Sequence, residues 1–558
     1  MTIFPERLKA LHSRISDRVA VYLQFAGGQE SPLTYDQLLQ GSAAFARTLA
    51  REKIQPGEVV VLILQHSEEL LYSFWGAILH GGIPSIMPFL TEKLSPERYR
   101  ADMASLISVT KPAAIVTYPE FESDVRSALK PGDSVRAVIL TSQFEPQSAI
   151  DFEALQGFSR HAEDIVLLQH SSGTTGLQKG VALSHQAVFN QLNAYGKALS
   201  LDEQDVIVSW LPLYHDMGLI AGFLMPILSG IPLVLMSPFD WVRAPYRLMQ
   251  LVSKYRGTLT WLPNFAYNFC AQKIRDRTME GVDLSSWRAI INCSEPVRWE
   301  SHRAFYESFS KYGLRWEALQ TSYAMAENVF GVTQSQLGRE PFVMELDRES
   351  FMVKRVAKSS FDGRPAMKMM SSGRPLENVR IRILDESGND LHDCVIGEVA
   401  LHSDCMLTGY FNRPDLTEKA FRDGWYLTGD YGFTLDGELF VSGRKKDMII
   451  VGGKNIYPQD LESLTYDVPG VHAGRSVAFG LFDEAQGTEE VVIIAEVDSD
   501  DEEEQQRVAD ALRAYVTKNS AIALRHVKVV GPKWIVKTSS GKTARSANKE
   551  KFLTELNQ

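Results

Sequence analysis

Several short segments carry residue types suited to binding a phosphorylated nucleotide. SSGTTGLQKG (Ser171–Gly180) follows the apolar run Ile165–Leu168. Its glycines, Gly173 among them, let a backbone fold tightly around phosphates. Ser171, Ser172, Thr174 and Thr175 bring hydroxyl donors, Lys179 adds charge, and successive N–H groups can form an anion-binding nest. The pattern GxxxxGK[ST] is absent, so this is not a Walker-type loop. SWLPLYHDMGLI (Ser209–Ile220) puts His215 and Asp216 at a strand end, where open α/β sheets bind ligands, although a His-Asp pair alone is as readily structural. Ser294, Glu295 and Pro296 follow another apolar strand in NCSEPV (Asn292–Val297). In TSYAMAENVF (Thr321–Phe330), Tyr323, flanked by Ser322, Ala324 and Met325, could stack on a base, and Glu327 could hold Mg²⁺ as a hard oxygen ligand. Asp430 in WYLTGDYG (Trp425–Gly432) could accept both hydroxyls of a ribose. Arg444 opens SGRKKDMIIVGGKNIYPQDLE (Ser442–Glu462) with a fixed fork of donors, and VKTSSGKTAR (Val536–Arg545) is a basic loop centred on Lys542.

These segments sit between elements of a regular alternation. VVVLIL (Val59–Leu64), AAIVTY (Ala113–Tyr118) and VRAVIL (Val135–Leu140) read as buried strands, and Glu68–Leu79 and Pro96–Val109 as helices between them. The pattern continues through Val206–Trp210, a helix near Met217–Leu228, Pro232–Leu235, a helix near Pro245–Lys254, Thr258–Leu262 and Ala289–Cys293. Strands alternating with helices imply parallel sheets with crossover helices. After about residue 370 the texture changes to short strands between Gly and Asp turns, which predicts a small antiparallel, barrel-like region. From Lys446 onward a compact α+β unit is expected, with a helix at Pro458–Tyr466 and another at Glu502–Lys518. The expected fold class is α/β. A large N-terminal domain of doubly wound sheets (1–445) carries the β-rich subdomain (about 370–445), and a small mobile α+β domain follows (446–558).

At 558 residues the chain has room for two to four domains at roughly 100–200 residues each. A net charge of −11 argues against nucleic-acid binding, so an anionic nucleotide must be met by locally concentrated donors. The four cysteines form no CxxC pair, which speaks against zinc and a disulfide framework and fits a reducing cytosol. No run of about 20 apolar residues exists, so no integral membrane association is expected. The amphipathic start MTIFPERLKALHSRISDR reads as a surface helix rather than a signal peptide.

In their order, the segments resemble those of the adenylate-forming superfamily of acyl- and aryl-CoA synthetases, peptide-synthetase adenylation domains and firefly luciferases. The resemblance covers about residues 10–550. Within it the chain looks like a fatty acyl-AMP ligase: LPLYHDMGLI, SEPV, YAMAE and NIYPQDLE match that branch, and Gly338–Met370 has the length of its inserted segment. The sequence departs from the pattern at Ala324, where glycine is usual, and at Val536, where proline is common.

The resemblance implies ATP, Mg²⁺ and a medium- or long-chain fatty acid as reactants, acyl-AMP and pyrophosphate as products, and an acyl carrier protein as acceptor in a polyketide or lipopeptide setting. It implies that Thr174, Thr175 and Lys179 hold the leaving phosphates and that Glu327 orients Mg²⁺. Tyr323 and its neighbours flank adenine, Asp430 and Arg444 fix the ribose, and Lys542 bridges carboxylate and α-phosphate. His215 joins Lys542 and Glu327 as a catalytic candidate. Lys446 stands at the hinge, and the insertion restrains the small domain's swing and so disfavours CoA. Trp210, Phe223, Trp261, Phe265 and Phe269 could line an acyl tunnel or belong to the core. The alternatives are an acyl-CoA ligase, an inactive nucleotide- or acyl-binding module, and an enzyme that spends the adenylate on β-lactone or luciferase-type chemistry.

Overall fold

The strand–helix alternation builds two seven-stranded sheets. The first runs in the order 319–321, 289–292, 259–262, 207–209, 233–236, 19–24, 30–34, parallel throughout except for the last pair. The second runs 409–410, 179–184, 165–171, 83–86, 59–63, 114–117, 137–140; it is parallel from 165–171 onward, and its first two pairings are antiparallel. The computed structural model describes the chain except residues 1, 90–95, 145–148, 172–178, 361–365, 452–453, 473, 484–487, 521, 523, 539–540 and 557–558. Strands such as Val59–Ile63 and Leu259–Leu262 are buried along their whole length, as continuous apolar runs must be when helices cover both faces.

Helices Tyr35–Arg51 and Glu68–His80 pack between the sheets. Their approach is close enough that a Cβ on Gly76 would stand 2.5 Å from the Ser42 carbonyl, so only glycine fits there. The amphipathic start folds as helix Phe4–Ile15 and docks, burying Phe4, Leu8 and Leu11. The Phe4 ring packs against Trp75, His185 and Phe189, and its N–H donates to His185 Nδ1 at 3.2 Å. The segment expected as a helix near Met217–Leu228 is a π-helix over Met217–Leu224 that runs into helix Met225–Ser229.

Beyond residue 370 lies the expected antiparallel region: strands 379–384, 397–403, 425–435 and 421–422 in order, with 438–444 paired on 425–435. The small C-terminal domain has a three-stranded sheet (Ser476–Asp483, Thr488–Glu496, His526–Val530) covered by helices Pro458–Thr465, Glu502–Ser520 and Arg545–Leu556. The segment read as an insertion folds as strand Val343–Asp347, helix Arg348–Lys354 and strand Ala366–Met370, the two strands pairing antiparallel. Met344, Leu346, Phe351 and Met352 of this hairpin share one apolar core with Phe433 and Phe440 of the β-region and with Ile456, Tyr457, Leu461 and Ile493 of the small domain.

Candidate active site

A cleft of about 2330 Å³ runs between the large and small domains. Its described lining includes Ser294, Glu295, Pro296, Ser322, Tyr323, Ala324, Asp430, Arg444 and Lys542, residues drawn from five separate sequence segments. Ser172, Gly173, Thr174 and Thr175 lie outside the described residues.

Lys542 reaches the cleft on a tight loop. The Thr538 N–H donates to the Lys542 carbonyl at 2.7 Å, the Lys542 N–H to Thr538 Oγ1 at 3.1 Å, and the Gly541 N–H to the Thr538 carbonyl at 2.9 Å. Gly541 takes φ +86°, a left-handed conformation that favours glycine, and rests 3.7 Å from Phe265 by its would-be Cβ. Lys542 also lines a small pocket of about 20 Å³ with His215, Ser294, Trp210, Met217 and Pro263, room for about one water molecule. Beside that pocket His215 Nδ1 stands 2.6 Å from Asp216 Oδ1, and Asp216 Oδ1 also accepts the Met217 N–H at 2.8 Å, capping the π-helix. Burial alone would raise the Asp216 pKa, but His215, with the Lys542 ammonium adding to it, outweighs that and holds the carboxyl below its usual range.

Asp430 and Arg444 face each other across the pairing of 425–435 with 438–444, Arg444 Nε being 3.5 Å from Asp430 Oδ1. The Tyr323 hydroxyl donates to Asp430 Oδ2 at 2.5 Å. Burial raises the Asp430 pKa, and Arg444 and Tyr323 oppose the rise. The Tyr323 hydroxyl is thereby committed, which leaves the ring as its free feature. Ser322 Oγ donates to the Thr333 carbonyl at 2.7 Å, and Glu295 Oε2 accepts the Phe265 N–H at 3.0 Å, so the Glu295 carboxylate caps helix Asn264–Lys273.

Glu327 and Lys179 meet through Tyr410. The Tyr410 hydroxyl donates to Glu327 Oε1 at 2.9 Å, and Lys179 Nζ lies 4.6 Å from the centre of the Tyr410 ring. Neither they nor His215, Met325 or Lys446 is among the described residues lining the large cleft. Burial, then Arg444, lowers the Lys446 pKa. Among the described residues no group of three or more His, Cys, Asp or Glu side chains could enclose a metal. Glu327 nevertheless offers one hard carboxylate, and Mg²⁺ characteristically takes one or two carboxylates together with nucleotide phosphates.

Sequence reasoning missed two features here. Ser294 (φ +72°) and Val329 (φ +62°) are left-handed without being glycine; for β-branched Val329 this is strain, and such strain gathers at functional sites. Trp210 stacks on Trp241 with ring centres 3.6 Å apart and planes 4° from parallel, and both, with Phe265 and Phe269, line one wall of the cleft. Phe223 and Trp261 do not join them. Phe223 packs on Phe74 and Trp75, and Trp261 Nε1 donates to the Tyr195 hydroxyl at 2.9 Å, so both are core.

A two-sheet α/β body with a cleft closed by a small domain that delivers a lysine defines a nucleotide-dependent enzyme of the adenylate-forming kind. Residues 10–411 match the AMP-binding enzyme family, and the chain belongs to it. It is 29% identical over 570 residues to a medium-chain-fatty-acid–[acyl-carrier-protein] ligase, JamA, of Moorena producens (97% of this chain, 93% of the relative). It is 30% identical over 562 residues to the long-chain-fatty-acid–AMP ligase FadD28 of Mycobacterium tuberculosis (95% and 94%). A structure from work on fatty acyl-adenylate ligases of E. coli and L. pneumophila superposes with a TM-score of 0.90 at 27% identity, covering 100% of this chain and 99% of that one.

Proposed function

We propose that the protein activates a medium- or long-chain fatty acid with ATP and passes the acyl group to the phosphopantetheine thiol of an acyl carrier protein. In the first step a carboxylate oxygen attacks the α-phosphorus. The bond between the α-phosphorus and the α,β-bridging oxygen breaks, that oxygen leaves with the β- and γ-phosphates, and acyl-AMP and pyrophosphate form. In the second the thiol attacks the acyl carbon, AMP leaves and a thioester forms.

The observation that carries the reading is the position of Lys542, which lines the same cleft as Tyr323, Asp430 and Arg444 although it belongs to the small domain. The protein's work is to position two anions and offset their repulsion. Lys542 bridges the carboxylate and the α-phosphate. Asp430 and Arg444 take the ribose, while Tyr323, with Ser294–Pro296, flanks adenine. Thr174, Thr175 and Lys179 hold the departing phosphates. Glu327 would hold Mg²⁺, which when bound neutralises phosphate charge. The Trp210, Trp241, Phe265 and Phe269 wall suits an apolar tail.

The acceptor assignment rests on the hairpin 343–370. It shares an apolar core with the small domain, and rotation about Lys446 would expose Phe351, Leu346 and their partners to water. That cost restrains the swing by which a free CoA would gain its site. The names of the relatives, an acyl-carrier-protein ligase and an AMP ligase, agree with it. The test is a competition: the protein, ATP, Mg²⁺ and dodecanoic acid are given equal thiol as CoA and as a holo acyl carrier protein. Acyl-carrier thioester should dominate the products; efficient acyl-CoA formation would show the acceptor assignment to be wrong.

A further inference from the structure

The helix Trp299–Phe309 begins immediately after Ser294–Val297, the segment that lines the nucleotide end of the cleft. Its first residues face two other parts of the molecule. Arg298, the residue at the cap, directs Nη1 and Nη2 at Asp460 Oδ1 of the small domain, each at 3.3 Å. Trp299, the next residue, carries the insertion's Lys368 over its ring at 3.6 Å and its own helix's Arg303 at 4.9 Å. Arg298 is itself held, its N–H donating to Asn264 Oδ1 at 3.1 Å. Asp460 lies in the first turn of helix Pro458–Thr465, and Arg348 of the insertion adds a second positive charge near it.

Both side chains of the Arg298–Asp460 pair are only about a fifth exposed, at 23% and 21%. Truncating one partner of such a pair strands the other in a half-dry place. We propose that Arg298 and Asp460 are positioning residues that latch the small domain in the orientation that brings Lys542 into the cleft. This rests on the adenylation reading above. The two bonded atoms belong to different domains, so rotation at the hinge separates them. The latch therefore favours the adenylating orientation and contributes nothing to the chemistry itself. It joins the nucleotide segment, through Arg298, to the loop-bearing small domain, through Asp460.

The test uses full-length protein with Asp460→Asn, Arg298→Gln, and the reversed pair Arg298→Asp with Asp460→Arg. Each single change should lower kcat for acyl-AMP formation about tenfold while KM for ATP and fatty acid moves less than about threefold, the size expected for losing one coupled pair. The reversed pair should recover kcat to within about threefold of wild type, a rescue that lost packing would not give. A second readout needs no turnover. Without substrates, amide exchange in the helix Pro458–Thr465 should be faster in Asp460→Asn than in wild type. Unchanged kcat, a loss confined to KM, a reversed pair no better than its single members, or unchanged exchange would each overturn the latch. If wild type makes no acyl-AMP from any fatty acid, the adenylation reading fails, and the exchange comparison still judges the latch.

Discussion

Lys542 carries the largest share of the proposed chemistry on a single side chain, and its loop shows why it can. Thr538 holds it by backbone and hydroxyl, and its charge helps hold the Asp216 carboxyl of the large domain below its usual range. Lys542→Ala should cut the rate of acyl-AMP formation by roughly 10²–10³-fold, the usual loss of one preorganised electrostatic partner, with the fold intact by circular dichroism. A near-wild-type rate measured by pyrophosphate release would remove Lys542 from the mechanism. The departures from the family pattern are also explained at this scale. Ala324 is not among the left-handed residues, so its backbone needs no glycine. Val536 donates its N–H to Asn548 Oδ1 at 2.8 Å, a bond that proline has no hydrogen to make, and the Asn548 amide returns one to the Val536 carbonyl at 2.8 Å. Valine thus ties the segment before the lysine loop to helix Arg545–Leu556. Asp430 and Arg444 were legible as a pair in principle, because each lies in a short β-run separated by a turn. Their cross-strand register, and the Tyr323 hydroxyl completing the group, come only from tertiary structure.

Among elements, the buried strands and the helices between them follow from apolar runs and their spacing. Val59–Ile63, Ala114–Thr117 and Ala289–Asn292 fall within the stretches read from sequence, shortened at their ends. What periodicity does not carry is the departure from ideal helix at Met217–Leu224. There an all-apolar, glycine-containing run packs on every side, and nothing in its pattern separates a π-turn from an α-turn. The same limit hid the Trp210–Trp241 stack and the Arg298–Asp460 bridge, since partners 31 and 162 residues apart meet only through the fold. The N-terminal helix was read as a surface element and is one on its outer face, but its inner face is a docked part of the core. Phe4 is fully buried among three aromatic rings. Phe4→Ala should therefore cost about 3–5 kcal/mol of stability in urea unfolding of the large domain. A loss below about 1 kcal/mol, the range of surface substitutions, would mean that the helix does not dock as described.

Over the whole molecule, the chain carries a net charge of −11 and yet is read as binding ATP. The balance is local. Lys542, Arg444, Lys533 and Lys537 all line the cleft. No helix among the described residues is long and apolar enough to cross a membrane. The insertion and the small domain share one core, the feature on which the proposed restraint of the small domain rests. That architecture makes formation of the adenylate, rather than its onward transfer, the central claim. It is tested most directly by mass spectrometry of the products from purified protein, ATP, Mg²⁺ and a ladder of saturated fatty acids without any thiol. Acyl-AMP and pyrophosphate should accumulate together, with a maximum at one medium or long chain length; ATP left intact with every acid, or hydrolysed with no acyl-AMP formed, would contradict it.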